Sequence, residues 1–315
     1  MSDTDIVVLR RGVHGRPASE YVSALCDRLP DRTVRRAETP AAERSLVADA
    51  PIVTGVAMDE SLLSAAESLE LFACLYAGVG HLPLDAFERR NVAVTNAAGV
   101  HGPKIAEYVL GALLTFTQGF HRGIQRARDR EWRHFQTREL QGSTVTVVGL
   151  GAIGTAVLDR LAPFDIETVG VRYTPSKGGQ AKAVYGFDAI HEACAGTDFL
   201  VLACPLTDRT EGLVDEALLE TLPPEAVLVN IARGPVVETP ALVRALQGNQ
   251  LRGAVLDVTD PEPLPEGHPL WTLSNVVMTP HNAGDTPQYY ERVADILATN
   301  VERLDSGEQL QNRAV

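Results

Sequence analysis

The chain has few lysines and no block of basic residues. Its 28 basic residues include only three lysines, Lys104, Lys177 and Lys182, and its 41 acidic residues give a formal net charge of −13. Proteins that bind nucleic acid usually display a basic face, so this balance predicts no nucleic-acid partner. An acid-rich, lysine-poor surface favours a halophilic protein, adapted to a cytoplasm of high salt. An ordinary acidic enzyme from an arginine-biased genome is the alternative.

Long apolar runs, a targeting signal and paired cysteines are also missing. No apolar run approaches the roughly 18 residues of a membrane-spanning helix, and the acidic N-terminus lacks the layout of a signal peptide. Cys26, Cys74, Cys194 and Cys204 have neither CxxC nor metal-ligand spacing, which predicts buried, reduced thiols and no metal site. We therefore expect a cytoplasmic protein without a membrane partner.

The length of 315 residues suits two domains of about 150 residues each. Alternating strand-like and helical patterns predict an α/β fold, with a small parallel unit over residues 1–95. From Thr144 onward, six strand-like runs predict a doubly wound sheet. Between these units, the pattern from Pro103 to Arg130 predicts one long helix that crosses from one domain to the other. A last helix is predicted over Gln288–Leu304, and we expect it to pack back on the first domain.

A glycine-rich segment follows the strand-like run Val145–Val148. Gly149, Gly151 and Gly154 have GxGxxG spacing and precede a helical pattern. In dinucleotide-binding folds the first glycine makes a tight turn, the second lets the backbone approach a pyrophosphate, and the third allows close packing. The segment predicts a dinucleotide at this helix N-terminus. A tight turn without a ligand is the alternative.

The residues after the next strand-like run indicate which dinucleotide binds. This run, Glu167–Val171, is followed by Arg172, Tyr173 and Thr174, with Lys177 close by. An acidic residue there holds the ribose 2′-hydroxyl of NAD, whereas an arginine accommodates the 2′-phosphate of NADP. The sequence therefore favours NADP(H), with NAD(H) still possible. The alternative is a solvated arginine and a relaxed choice of cofactor.

Arg233, Glu262 and His281 each follow the end of a further strand-like run. Ligands of open α/β sheets bind outside the carboxyl ends of the strands, so we expect these side chains at one crevice. An arginine can hold a carboxylate through two hydrogen bonds, and a histidine can exchange a proton with a carbonyl oxygen. Glu262 could pair with His281. The alternatives are an arginine that bonds turn carbonyls, a loop carboxylate and a structural histidine.

Three other residues have two interpretations each. Asp257 also lies at a strand end, where it could accept a hydrogen bond from the nicotinamide carboxamide or cap a turn. Trp132 and Trp271 are expected to pack rather than to form a site.

Together these stretches resemble the D-isomer-specific 2-hydroxyacid dehydrogenase family. The matching runs are Thr95-Asn96, Ala106-Glu107, Gly149–Gly154, Cys204–Thr207 with Thr210, Asn230–Gly234, Leu256–Pro263, His268–Leu270 and Thr279–His281. The resemblance implies a Rossmann-type dinucleotide domain over residues 101–285. It also implies a smaller, flavodoxin-like α/β substrate domain over residues 1–100 and 286–315. Members are usually homodimers, and the inserted long helix is part of their interface.

The resemblance also implies roles for individual residues. Arg233, Glu262 and His281 match the family's catalytic trio, in which the arginine binds the substrate's carboxylate and keto group. The histidine is the general acid–base and the glutamate is its partner. Arg233 and His281 are thus expected to bind substrate, together with the backbone of Tyr76, Ala77, Gly78 and Val79.

A larger set is expected to bind the cofactor. It comprises Gly149, Gly151, Ala152, Ile153, Gly154, Arg172, Tyr173, Thr174, Cys204, Pro205, Thr210, Ile231, Ala232, Arg233, Asp257, His281, Ala283 and Gly284. Arg172 departs from the family's NAD-selecting aspartate, which supports NADP. Gly80-His81 and Asn282 depart from common family residues beside the substrate loop and the catalytic histidine, which leaves the choice of substrate open.

The sequence thus predicts an NAD(P)-dependent oxidoreductase that interconverts a small 2-ketoacid and a D-2-hydroxyacid. A glyoxylate/hydroxypyruvate reductase shares all of these motifs and is an alternative. A dinucleotide-sensing binding protein on the same scaffold, similar to the family's transcriptional corepressors, is the alternative from another class.

Overall fold

A computed structural model describes residues 4–315, which form two compact units. Unit 1 contains the chain up to Val100 together with Thr286–Val315, and unit 2 is His101–Asp285. The first three residues, part of the acidic N-terminus, lie outside the described residues. Within the described part of the chain, no helix is long and apolar enough to cross a membrane.

Unit 1 is built on a parallel sheet with the strand order β2-β1-β3-β4-β5. Its strands are β1 (Ile6–Val8), β2 (Val34–Arg36), β3 (Ile52–Gly55), β4 (Leu71–Cys74) and β5 (Ala93–Thr95). Its helices are α1 (Ala18–Arg28), α2 (Pro40–Leu46), α3 (Glu60–Ala65), α4 (Leu84–Arg89) and a C-terminal helix (Tyr289–Ser306).

The C-terminal helix belongs to unit 1 because its apolar face packs on the core of that unit. Tyr290 stacks on Tyr21 of α1 at a centroid distance of 5.3 Å, and Val293 and Leu297 join the same buried cluster. The hydroxyl of Tyr289 donates a hydrogen bond to a backbone carbonyl beyond β4. The prediction that the last helix packs back on the first domain is therefore confirmed.

Unit 2 is a doubly wound parallel sheet of the expected Rossmann type. Its strands are β6 (Thr144–Val148), β7 (Glu167–Val171), β8 (Ala183–Tyr185), β9 (Phe199–Leu202), β10 (Val227–Asn230), β11 (Gly253–Leu256) and β12 (Val276–Met278). Its α-helices are α5 (Gly102–Thr117), α6 (Phe120–Arg128), α7 (Ala152–Leu161), α8 (Ile190–Cys194), α9 (Glu216–Thr221) and α10 (Thr239–Gln247). The order β12-β11-β10-β9-β6-β7-β8 reverses beside β6, where such sheets open a crevice for ligands.

Two short strands escaped the sequence prediction. Both β2 and β8 have three residues, lie at a sheet edge and are only partly buried. An edge strand with one side open to solvent needs no continuous apolar run, so its periodicity is weak. The prediction of six strands for the second unit was therefore wrong, because the sheet also contains β8.

The single long helix predicted over Pro103–Arg130 is wrong in two respects. Gly119 has φ 67°, a left-handed conformation that ends α5 and begins α6. A Cβ atom at Gly119 would stand 2.5 Å from the ring of Phe135, so the Phe135 side chain packs closely against the break between the two helices. Both helices lie inside unit 2, so this segment does not cross from one domain to the other.

Three of the four cysteines are buried, as predicted, whereas Cys26 is exposed. Burial raises the pKa of the Cys204 thiol to about 11, which keeps that thiol protonated at neutral pH. The packing role expected for the tryptophans is wrong for Trp132, which is fully exposed, and Trp271 is 53% exposed.

Candidate active site

The glycine segment folds into a turn that leads directly from β6 into α7. Gly149 has φ 101°, and a Cβ atom there would stand 2.7 Å from the backbone of Cys204. A Cβ atom at Gly154 would stand 2.0 Å from the carbonyl oxygen of Gly149, whereas Gly151 faces open space. The first N–H groups of a helix have no partner within the helix, so they can donate hydrogen bonds to an anion. The open cradle at Gly151 therefore fits a dinucleotide pyrophosphate.

A cavity of about 790 Å³ lies at this turn, inside unit 2. Its lining includes predicted cofactor residues from three strand ends, namely Gly149 and Gly151 after β6, Arg172, Tyr173 and Thr174 after β7, and Cys204, Pro205 and Thr210 after β9. The sheet topology thus brings these eight positions to one cavity.

The part of this cavity after β7 is basic. The Arg172 guanidinium donates a hydrogen bond of 2.6 Å to the carbonyl of Gly178, which fixes the arginine to its own loop. Lys177 lines the same cavity. Sequence reasoning did not single out Arg209, which also lines the cavity, since an arginine in a polar loop has no distinguishing pattern.

Several other predicted cofactor residues do not line the cavity. Ala152, Ile153 and Gly154 form the first turn of α7, and Ile231 and Ala232 are buried after β10.

Two further residues of the predicted cofactor set lie in the loop after His281. Ala283 is buried, and the Gly284 carbonyl oxygen lies 2.9 Å from His101 Nδ1.

Thr210, which lines the cavity at the glycine turn, has a structural role. Its hydroxyl donates a hydrogen bond to the Pro205 carbonyl at 2.6 Å and accepts one from the Thr207 N–H.

The strand ends β11 and β12 bring His281 and Glu262 together. The Nδ1 atom of His281 lies 2.9 Å from Oε2 of Glu262, and the two side chains are 50% and 40% exposed. The other carboxylate oxygen accepts the N–H of Thr259 at 3.1 Å. Burial raises the pKa of Glu262, but the bonds from His281 and Thr259 outweigh it, and the pKa lies below its ordinary value. Glu262 is therefore ionised at neutral pH and holds one ring nitrogen of His281.

Asp257 shapes the loop that carries His281. Its Oδ1 accepts hydrogen bonds from the Thr279 hydroxyl at 2.6 Å and the Asn282 N–H at 2.9 Å, and its Oδ2 accepts the Ala283 N–H at 2.9 Å. The loop needs this support because His281 has φ 52°, which is uncommon for a side chain other than glycine. Of the two interpretations of Asp257, the structure shows the turn cap. Its contact with a carboxamide stays a prediction.

Tyr108 and Thr279 extend this network, and sequence reasoning missed both. The two hydroxyl oxygens are 2.5 Å apart. Because the Thr279 hydroxyl donates its single proton to Asp257 Oδ1, the Tyr108 hydroxyl must be the donor to Thr279. Burial raises the pKa of Tyr108 to about 12, so the phenol stays protonated. Tyr108 lies on the apolar helix α5, where nothing in the sequence distinguishes it from a packing residue.

Arg233 stands in a turn that Asn230 braces. The buried Asn230 side chain donates to the Arg233 carbonyl at 3.1 Å and accepts the Ala232 N–H at 3.0 Å. The exposed Arg233 guanidinium donates to the Ala232 carbonyl at 2.6 Å, and its charge helps to lower the pKa of Glu262. Arg233, Glu262 and His281 thus belong to neighbouring loops at the same edge of the sheet.

A second cavity of about 590 Å³ includes His281, Glu262 and Asp257 in its lining. Leu264, Trp271 and Met278 contribute apolar surface to it. The Trp271 ring N–H donates to the Pro265 carbonyl at 2.9 Å, which fixes the indole. Trp271 thus lines the same cavity as His281 and Glu262, whereas we expected it only to pack.

The predicted substrate loop, residues 76–79, follows β4 in unit 1. Tyr76, Ala77 and Gly78 are exposed and Val79 is partly buried. His81, one of the departures noted above, packs edge-on against Tyr76 at 5.8 Å, and its Nε2 lies 2.7 Å from the Val56 carbonyl. The loop is thus supported by a histidine, and its role in binding a carboxylate stays a prediction. Within residues 4–315, no cluster of His, Cys, Asp and Glu side chains could hold a metal ion.

The chain is similar in sequence to several known proteins. Residues 110–283 match the family model described as "D-isomer specific 2-hydroxyacid dehydrogenase, NAD binding domain". The chain is 33% identical over 260 residues to a glyoxylate reductase of Thermofilum pendens, covering 80% of this chain and 76% of that protein. It is 34% identical over 253 residues to the human glyoxylate reductase/hydroxypyruvate reductase, covering 78% and 76%.

A solved structure is similar over the whole chain. It is a D-isomer specific 2-hydroxyacid dehydrogenase from Xanthobacter autotrophicus Py2, in complex with NADPH and MES. Its TM-score is 0.78 at 26% identity, and the match covers 100% of this chain and 98% of that one.

Proposed function

The chain belongs to the D-isomer specific 2-hydroxyacid dehydrogenase family, and we propose from this premise that it reduces a small 2-ketoacid to the D-2-hydroxyacid with NADPH. The family assigns the reaction class, which is nicotinamide-linked hydride transfer between a 2-hydroxyacid and its ketoacid. The hydrogen bond of 2.9 Å between His281 and Glu262 is the observation that carries the proposed mechanism.

His281 is the proposed general acid in ketoacid reduction. When bound, the nicotinamide cofactor supplies the hydride that the keto carbon accepts. Glu262 accepts the Nδ1 proton of His281, which leaves Nε2 to donate a proton to the keto oxygen. Arg233 binds the substrate carboxylate through its planar guanidinium. In the reverse direction His281 takes the hydroxyl proton back.

The residue after β7 supports NADPH over NADH. The position that would carry an acidic residue for NAD holds Arg172 instead. The solved relative with NADPH shows that this family accommodates the phosphorylated cofactor. Because a carboxylate there would repel a 2′-phosphate and an arginine attracts one, the site suits the phosphorylated cofactor.

We choose the first substrates to test from the activities in the names of the relatives. Relatives that are 33–34% identical are named glyoxylate reductase or glyoxylate reductase/hydroxypyruvate reductase. Glyoxylate and hydroxypyruvate should therefore be compared with larger 2-ketoacids. The proposed carboxylate contact with the backbone of residues 76–79 belongs to this same hypothesis.

We also propose a homodimer. Phe120 and Ile124 are 56% and 58% exposed on α6, and Trp132 is exposed just beyond that helix. Large exposed apolar side chains on one face of a helix, such as Phe120 and Ile124, often mark a protein interface. These side chains support the expectation, taken from the family resemblance, that this inserted helical region joins two copies.

The test of the proposed function is the absorbance of NADPH, and then of NADH, with each ketoacid at low and at multimolar KCl. We expect NADPH to be oxidised with at least one ketoacid and the His281→Gln variant to lose turnover by about 10²-fold or more. Binding of NADPH with no turnover under any condition would instead indicate a dinucleotide-sensing protein.

A further inference from the structure

Arg209 lies in the cofactor cavity between two aromatic rings. Its guanidinium carbon is 5.0 Å from the centre of the Tyr173 ring and 5.8 Å from that of Phe187. All three residues line the cavity at the glycine turn. A planar guanidinium that packs on aromatic rings keeps its N–H groups in its own plane, where they can still donate.

The cavity concentrates positive charge in a strongly acidic chain. Arg172, Lys177 and Arg209 line it, and Asp208 is the acidic residue among the described lining, although the chain as a whole carries −13. Within residues 4–315, the ion pairs involve many other arginines but none of these three cations. Like charges held close together disfavour one another unless an anion joins them.

We propose that Arg209 determines cofactor specificity by binding the phosphate on the 2′ position of the adenosine ribose, together with Arg172 and Lys177. The inference rests on the proposed function only in that the ligand is a dinucleotide. Tyr173 and Phe187 hold the guanidinium in place, and Arg172 is fixed by its bond to Gly178. The loop after β9 thus contributes to the selection of NADP, in addition to the residues after β7.

A phosphate is a better ligand for this cluster than an uncharged group. Each guanidinium can donate two parallel hydrogen bonds to phosphate oxygens, and a dianion balances several cations at once. In the alternative, adenine would stack on Arg209, and this contact would not need the three positive charges. The two binding modes differ in a measurable way, because only binding of the phosphate by Arg209 depends on the 2′-phosphate.

The experiment is calorimetric titration of the full chain with 2′,5′-ADP and, separately, with 5′-AMP. The variants are Arg209→Ala and Arg209→Lys, with Arg244→Ala as the matched control, because Arg244 is an exposed arginine on α10 that pairs with Glu216 outside this cavity. Loss of a charged hydrogen bond should weaken 2′,5′-ADP binding by about tenfold or more in Arg209→Ala. Lysine should restore part of the loss, while 5′-AMP binding and the control should not change.

The outcomes separate this inference from the proposed function. Neither nucleotide contains nicotinamide, so the titration reports binding without turnover. Weaker binding of 2′,5′-ADP alone would support the role of Arg209 even if no ketoacid were reduced. An equal loss for both nucleotides would overturn it in favour of adenine stacking, and unchanged binding of 2′,5′-ADP would also overturn it.

Discussion

Gly234 packs directly against the backbone of Thr259. A Cβ atom at residue 234 would stand 2.0 Å from the Thr259 carbonyl oxygen and 2.7 Å from the next backbone nitrogen. Arg233 immediately precedes this contact, and the Thr259 N–H binds Glu262. The close approach therefore sets the loop that carries Arg233 against the loop that carries Glu262.

A methyl group at residue 234 should disturb this arrangement. Backbone atoms cannot move aside like a flexible side chain, so Gly234→Ala should lower the free energy of unfolding by about 1–3 kcal/mol and reduce kcat/KM. Thermal unfolding and ketoacid reduction measure the two effects. Gly196→Ala is the matched control, because a Cβ atom there meets nothing within 4 Å. If Gly234→Ala were as stable and active as the control, the contact would not position Arg233.

Removing the charge of Glu262 should slow proton transfer without abolishing cofactor binding. Glu262→Gln keeps the size of the side chain but no longer provides an ionised acceptor for His281 Nδ1. A loss of about 10–100-fold in kcat is expected, by analogy with the effect of removing the carboxylate partner of a metal-bound histidine. Glu266→Gln, an exposed carboxylate in the same segment, should leave kcat unchanged. Equal kcat values in the two variants would remove Glu262 from the mechanism.

The pH dependence follows from the direction of the Glu262 pKa. That pKa lies below its ordinary value of 4.5, so the carboxylate is ionised above that pH and the bond to His281 weakens only as pH falls below it. A fall in activity near neutral pH should therefore belong to another group and persist in Glu262→Gln. Rate profiles of both proteins from acid to neutral pH test this, and a neutral-pH transition that disappears in the variant contradicts it.

Sequence patterns identified the residues that follow strand ends, because parallel strands bring their carboxyl ends to one edge of a sheet. The turn at Gly149 and the pairing of His281 with Glu262 illustrate what such patterns can indicate. The sequence could not predict contacts between residues far apart in the chain, such as Tyr108 with Thr279. Gly119 was missed because a glycine within an apolar helical pattern does not by itself reveal a left-handed backbone.

The bridge formed by Thr279 gives a further prediction. Thr279→Val keeps the shape of the side chain but leaves both the Tyr108 hydroxyl and Asp257 Oδ1 without this partner. The free energy of unfolding should fall by about 1–3 kcal/mol, and kcat should fall because the His281 loop loses support. The double variant with Tyr108→Phe should cost less than the sum of the single changes, since all belong to one network.

Chemical denaturation of the four proteins measures this coupling. NADPH binding should be unchanged in Thr279→Val, which separates a local effect on His281 from general unfolding. Strictly additive changes, or an unaltered kcat in Thr279→Val, would show that the chain from Tyr108 to Asp257 does not position the histidine.

The exposed face of α6 should be needed for association of two copies. Phe120 and Ile124 are four residues apart, so they lie on the same side of the helix. Replacing both with serine removes apolar surface that is worth about 25 cal/mol per Å² when buried. The double variant should therefore shift from dimer to monomer in light scattering coupled to gel filtration. Leu206→Ser, an exposed apolar residue in the loop after β9, is the control and should keep the wild-type mass. A wild-type chain that is already monomeric would contradict the proposed homodimer. A double variant that stays dimeric would place the interface elsewhere.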